Sequence, residues 1–350
     1  MIKIQIAVSN PYDVIISSGI LPQIGTFVAD VCHPQRVAVI SDTNVWPLYG
    51  DVVVRSLGEQ SVSSVSYIIP AGEQSKNLST YTEIVTFLAE NHITRSDLII
   101  ALGGGTVGDL AGFVAATYLR GIALIQVPTS LLAMVDSSVG GKTALDLPIG
   151  KNLIGAFYHP RLVLCDTETL YTLPEALFYD GCAEVIKYGV LYDLPLFIHL
   201  SDRGAAFNRE YVISRCVEWK SRAVVADEFD RGERQKLNLG HTVGHALETL
   251  SAYAITHGQA VAIGMAVVSR AALKNKYCSA QTADQIIALL KQFQLPIDSC
   301  YAACDITSVA CSDKKRRNNM IHLVIPKQIG ECIIEQIPIG HLESFIEAGL

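Results

Sequence analysis

Residues 97–113, DLIIALGGGTVGDLAGF, constrain this chain more than any other stretch. An apolar run ends in three consecutive glycines, and helical spacing follows. A short apolar run bounded in this way reads as a buried strand. Glycines between a strand and a helix let the backbone approach a phosphate, whose charge suits the free N–H groups of the helix start. The alternative is a tight turn with no ligand. The triplet is not the GxGxxG fingerprint, so the flanking strand and helix carry the reading. Asp42 ends another apolar stretch, RVAVIS at 36–41. A carboxylate there suits a ribose or adenine hydrogen bond and, equally, a turn or cap.

Strand patterns at 36–41, 64–70, 97–102, 122–127 and 161–165 alternate with helical spacing at 73–92 and 107–119. That alternation predicts a parallel sheet covered on both faces. Beyond residue 166, helical spacing dominates at 174–192, 210–226, 237–250, 258–276 and 282–293, before a strand-like pair at 320–326 and 330–337. The expected architecture is an α/β N-terminal nucleotide-binding domain with a parallel-rich sheet (1–165) and a mainly α-helical C-terminal domain for metal and substrate (166–350). The cleft between them is the expected ligand site. A length of 350 residues, half of them hydrophobic, supports two such cores.

Net charge −7 with only 17% charged residues argues against a nucleic-acid partner. No stretch approaches the ~20 uninterrupted apolar residues that span a bilayer, so no membrane partner is expected. The start shows no basic region followed by a long apolar run. Nine scattered cysteines without a CxxC pair read as reduced thiols in a cytoplasmic protein.

In LNLGHTVGHALE, His241 and His245 stand four residues apart on an expected helix and share a face. His257 follows in THGQA, and Glu184 lies in GCAEVIKYG on a third expected helix. A single histidine is ordinarily a hydrogen-bonded core or surface residue. Three of them within 241–257, with a carboxylate on a neighbouring helix, suit a catalytic zinc site with an open position. Spacing does not say which three groups ligate, and His245 reads as either a ligand or a free base.

Lys142, Lys151 beside Asn152, Lys187 at i+3 from Glu184, Lys220 and Arg234 form a cationic set. Each alone reads as part of a solvated face. Embedded in Gly-rich or apolar stretches of a charge-poor chain, together they point to a phosphorylated, polyhydroxylated substrate beside a metal.

The runs GGGTVGDLAGFVAATYLRGI, QVPTSLLAMVDSSVGGKTALD, GKNLIGAFYHP, AEVIKYG, RQKLNLGHTVGHALE and ITHGQAVAIGMAV together resemble the 3-dehydroquinate synthase family of sugar-phosphate cyclases. The resemblance is dense from about residue 97 to 270. It implies a homodimer with one NAD and one zinc per subunit, cobalt being a substitute. It implies conversion of 3-deoxy-D-arabino-heptulosonate 7-phosphate to 3-dehydroquinate and phosphate. The steps would be oxidation of a secondary alcohol, phosphate elimination, re-reduction, ring opening and intramolecular aldol closure, with NAD reused.

Carried over by position, Glu184, His241 and His257 match the zinc ligands, and His245 a non-ligand histidine that relays protons. Asp136, Lys142, Asn152, Lys187, Lys220, Arg234 and Asn238 match substrate contacts. Arg120 matches an arginine lent to the partner subunit's phosphate pocket. Lys314 or Lys315 matches a late lysine near the substrate. Asp42, Glu73, Lys76, Gly104, Gly105, Thr106, Asp109, Thr129, Ser130, Lys151, Thr169 and Thr172 match NAD contacts. The rival readings are a metal-dependent alcohol or glycerol dehydrogenase, which would release NADH, another sugar-phosphate cyclase, and a regulatory nucleotide-binding protein.

Overall fold

The computed structural model describes residues 1–312 and 319–350. Lys314 and Lys315 lie outside the described residues. The chain forms two compact units, one of Met1–Pro174 with Arg209–Phe229, the other of Glu175–Asn208 with Asp230–Leu350. The sequence boundary at 165/166 follows the change from strands to helices. It does not foresee that one helical segment packs back with the strands.

The first unit runs β1 (Ile2–Ile6), β2 (Tyr12–Ser17), α1 (Ile24–Cys32), β3 (Arg36–Asp42), α2 (Trp46–Glu59), β4 (Ser63–Ile69) and α3 (Leu78–Glu90). It continues through β5 (Leu98–Gly103), α4 (Gly105–Thr117), β6 (Ala123–Pro128), β7 (Lys142–Leu147), β8 (Gly150–Phe157) and β9 (Leu162–Asp166). After α5 (Glu175–Tyr192) and α6 (Leu194–Arg203) of the second unit, α7 (Arg209–Ala226) returns to the first.

Seven strands pair in the order β1-β2-β9-β6-β5-β3-β4. All pairs are parallel except β1 on β2. The strands read as unbroken apolar runs because alternate residues enter two cores. Val37 and Val39 pack with Ile24 and Val28 of α1 and Val53 and Leu57 of α2. Ala38 and Ile40 pack with Ile84 and Leu88 of α3 and Leu110 and Val114 of α4. With β4 on one flank of β3 and β5 on the other, the winding reverses at β3. Ligands of open α/β sheets sit beyond the strand carboxyl ends at such a reversal. Asp42 and Gly103 are the last residues of those two strands.

Local structure departs from the spacing in three places. The helix expected at 73–92 begins at Leu78, because Asn77 caps it by accepting from Thr80 N at 3.0 Å, and a 3-10 turn, Glu73–Ser75, precedes it. The stretch after the π-helical turn Ala133–Ser137 folds into an unforeseen antiparallel hairpin, β7 on β8, with Lys142 opposite Phe157. The helix expected from 237 begins at His241, because Gly240, its N-cap, takes φ +78, and a 3-10 turn, Glu233–Asn238, precedes it.

The second unit continues with α8 (His241–Leu250), α9 (His257–Lys274), α10 (Ala280–Gln292), α11 (Ala303–Ser312), the hairpin β10 (Met320–Gln328) and β11 (Glu331–Pro338), and α12 (Ile339–Glu347). Helix α9 is buried on all sides and built largely of Gly, Ala and Val. Its small residues allow very close backbone approach. A Cβ on Gly264 would stand 2.0 Å from the Gly240 carbonyl oxygen, and one on Gly258 2.0 Å from that of Asp180. Among the described residues no helix is long and apolar enough to cross a membrane.

Candidate active site

In the first unit, the glycine-rich turn carries β5 into α4. Gly104 is the N-cap, in extended conformation, and no side chain caps the helix. No acidic residue lies within the first turn of α4 itself, so its N–H groups keep the partial positive end of the helix. Gly103 is demanded by packing, since its Cβ would come within 2.7 Å of Val107. Gly104 is different. A Cβ there would meet nothing nearer than Ser130 Oγ at 3.6 Å, so packing does not exclude a side chain; glycine keeps the space above the helix start open. That open cradle fits the pyrophosphate of a dinucleotide.

Beside it lies a buried ion cluster. The Lys76 ammonium, 3% exposed, donates to Asp109 Oδ2 at 2.6 Å and to Asn152 Oδ1 at 2.5 Å, with Glu73 at 3.6 Å and Asp146 at 4.0 Å. Burial opposes its charge, but Asp109 and Glu73 hold it above the ordinary lysine range. The Thr106 hydroxyl donates to Glu73 at 2.7 Å, and Lys151 stands 3.9 Å from the same carboxylate. Asp146, which sequence reasoning missed, accepts from the Asn152 N–H at 2.8 Å and steadies that residue at φ +57. Lys76, Glu73, Thr106, Asp109, Lys151 and Asn152 therefore come together around the helix start.

The remaining residues expected on NAD are engaged locally. Asp42 accepts from the N–H groups of Asn44 and Val45 at 2.8 and 2.9 Å, the cap geometry that its sequence position equally allowed. Thr129 donates its N–H to Gly103 O at 3.0 Å, and the Ser130 hydroxyl accepts from Ala133 N at 3.3 Å. Thr169 donates to Asp166 O at 2.8 Å, and Thr172 to Thr169 O at 3.0 Å.

Of the residues expected at the substrate, Lys220 on α7 donates to both the carbonyl and the Oδ1 of Asp136. The π-helical turn presents both acceptors to one ammonium. Lys142 opens β7, exposed, and Arg120 lies in a 3-10 turn after α4 at φ +68, also exposed.

The second unit holds the metal candidates. Glu184 on α5 is fully buried. Its Oε1 lies 3.4 Å from His241 Nε2 and 3.4 Å from His257 Nε2, while Oε2 is paired with Lys187. One oxygen and two ring nitrogens thus face a common point, the donor set of a divalent metal. The outer ring nitrogens are held as metal-bound histidines require. His241 Nδ1 stands 3.0 Å from Leu239 O, and His257 Nδ1 3.5 Å from Glu248 Oε2.

Electrostatics agree with the grouping. Burial opposes the Glu184 charge, yet Lys187 and His257 hold its pKa down to about 2. Burial likewise opposes charge on His257, yet hydrogen bonds to Glu184 and Glu248 raise it to about 10. Burial and then Lys187 push His241 well below the ordinary histidine range. His245 lies with its ring 5.3 Å from that of His241 and 6.2 Å from that of His257. Glu248 was missed by sequence reasoning, although it follows His241 and His245 at i+7 and i+3 on one helix face. Arg234, buried, and Asn238 occupy the 3-10 turn immediately before His241.

Residues 66–180 match the family described as 3-dehydroquinate synthase N-terminal, and residues 181–316 that described as 3-dehydroquinate synthase C-terminal. The chain is 47% identical over 333 residues to a 3-dehydroquinate synthase of Pelobacter propionicus, covering 93% of each. It is 43% identical over 352 residues to one of Streptococcus suis, covering 97% of this chain and 98% of the relative. Its fold is similar to that of 2-deoxy-scyllo-inosose synthase crystallised with carbaglucose-6-phosphate, NAD+ and Co2+, with a TM-score of 0.87 at 24% identity, covering 100% of both chains.

Proposed function

Because the chain belongs to the 3-dehydroquinate synthase family, we propose that it converts 3-deoxy-D-arabino-heptulosonate 7-phosphate to 3-dehydroquinate and phosphate, using NAD and a divalent metal, zinc or in its place cobalt. It is an enzyme of that family, a sugar-phosphate cyclase. Loss of phosphate by elimination makes the proposed activity that of a carbon–oxygen lyase. The observation that carries the cofactor reading is the convergence of Glu184, His241 and His257 with Lys187 on the same carboxylate. NAD+ and Co2+ beside a sugar-phosphate analogue in 2-deoxy-scyllo-inosose synthase support it.

Bound NAD would supply a hydride acceptor returned within each turnover, and the bound metal a Lewis acid at the reacting alcohol. The chain's own residues supply the rest. Glu184, His241 and His257 hold the metal. Gly104, Gly105 and Thr106 receive the pyrophosphate on the α4 N-terminus. His245 carries the proton of the reacting hydroxyl, as an imidazole exchanges protons near neutral pH. Lys142, Lys220, Arg234, Asn152 and Asn238 bind the substrate's phosphate and hydroxyl groups, with Arg120 reaching a partner subunit. Asp136 holds the Lys220 ammonium. Lys187 offsets the Glu184 charge from behind. Holding one conformer is worth much of the rate, since each step after binding is intramolecular. Homodimeric operation belongs to the same proposal, as does a cytoplasmic location, which the nine free cysteines support.

Three measurements test this reading. Substoichiometric NAD should support many turnovers, with one phosphate released per carbocycle and no net NADH. Lys142→Ala, folded and zinc-loaded, should lose about a hundredfold or more in kcat. Stoichiometric NADH in the medium would identify a dehydrogenase instead. Separately, Gly104→Val fills the space above the α4 start, and NAD should then bind about tenfold more weakly or worse, the cost of disturbing one charge-assisted hydrogen bond. Unchanged affinity by calorimetry would move the dinucleotide away from this turn.

A further inference from the structure

One carboxylate outside the metal triad ties together the two helices that carry Glu184 and His257. Asp180 stands four residues before Glu184 on α5, so the two share a face. Its Oδ1 accepts one hydrogen bond from the Thr256 hydroxyl and another, at 3.1 Å, from the Gln259 N–H. Thr256 is the N-cap of α9 and forms a capping box with Gln259. The carboxylate thus joins a cap that belongs to another helix. The backbone of Asp180 is in close contact as well, since its carbonyl oxygen lies 2.0 Å from where a Gly258 Cβ would be. Residues 256, 258 and 259 all rest on Asp180, and His257 is the residue they surround. A negative group also suits this place because a helix start favours it.

The structure assigns Asp180 as a positioning residue for the metal centre. It fixes the first turn of α9 to α5 and so sets where His257 stands relative to Glu184. This rests on the reading of Glu184, His241 and His257 as the metal ligands. Anchor and ligand residues stand four apart on one helix, a rise of ~6 Å along rigid backbone, so the spacing of their Cα atoms is fixed. Glu248 holds the imidazole ring of His257 through Nδ1, while Asp180 holds its backbone. Without Asp180, Thr256 and Gln259 still cap α9, but the seating of α9 on α5 loosens.

The test uses the full chain. Asp180→Ala and Asp180→Asn are compared with wild type in three readouts: zinc affinity by competition with a chromophoric chelator, the visible absorption of the Co2+ form, and the urea midpoint of the metal-free protein. Asp180→Ala should weaken zinc binding by about 10–100-fold and shift the Co2+ bands. Asp180→Asn, which keeps the acceptor oxygen, should lie much nearer wild type. A role in stability alone would lower the urea midpoint and leave zinc affinity and Co2+ bands unchanged; that result overturns the assignment. Should Asp180→Ala fail to fold, Asp180→Ser carries the same comparison, since its shorter side chain withdraws the acceptor while the Thr256 cap is kept. Wild-type protein that takes up no zinc would sink the metal reading itself, whereas normal wild-type binding with unchanged variants would sink only the role of Asp180.

Discussion

Glu184→Ala is expected to abolish stoichiometric zinc binding and to destabilise the metal-free protein by about 3–5 kcal/mol, the usual cost of removing one partner from a buried ion pair. Both losses have one origin. The Glu184 carboxylate is completely buried, and the Lys187 ammonium beside it is 1% exposed. Removing the acid leaves that ammonium without its counter-charge in the core, and it takes away the only carboxylate of the donor set. Glu184→Gln separates the two effects. It keeps the volume and an oxygen, so it avoids a cavity, but it removes the charge. It should therefore lose zinc while costing somewhat less stability than alanine. Metal analysis after dialysis and urea unfolding in chelator would measure both, and a Glu184→Ala protein that retained full zinc would refute the site.

The second large effect is expected from a single methyl group. Gly264→Ala places a Cβ 2.0 Å from the Gly240 carbonyl oxygen, a separation that no side-chain rotation relieves. Either α9 or the turn before α8 must move. Overpacking of this kind costs about 1–3 kcal/mol and sometimes more. The displaced turn carries His241, the next residue after Gly240, so zinc affinity should fall along with stability. A lower urea midpoint with unchanged slope, together with weaker zinc binding, is the expected pair of results. Wild-type values in both would mean that the close approach is not a constraint in solution.

Much of this was legible because it depends on local spacing. The apolar runs at β3, β5, β6 and β9 announced buried parallel strands, and the family resemblance carried the metal and cofactor expectations that the geometry accommodates. What spacing missed depends on contacts distant in the chain. The β7–β8 hairpin was hidden because 142–157 mixes lysines, glycines and apolar residues without clean alternation, as suits a small two-stranded hairpin outside the main sheet. Helix α6, of 10 residues, was too short to stand out by periodicity. The return of α7 to the first unit is set by its packing against β1, β2 and the turn at 133–137, none of which its own sequence declares. Asp146, Asp180 and Glu248 went unnoticed because isolated acids ordinarily belong to solvated faces. Their significance comes from Asn152, Thr256 and His257, respectively, which the fold delivers to them.

The thinness of α9 has a consequence for how this half of the molecule can change over time. Gly264 touches the Gly240 backbone and Gly258 the Asp180 backbone, so α9 works as a spacer of minimum gauge. Growth at either position has to be matched by a shift in the facing backbone, and no shrinkage of a neighbouring side chain can make the room. Alterations here would have to arise as coordinated sets, with an intermediate that folds poorly. Drift should therefore be concentrated on outward positions of α10 and α12, while the α5–α8–α9 contact surface changes as a block or not at all.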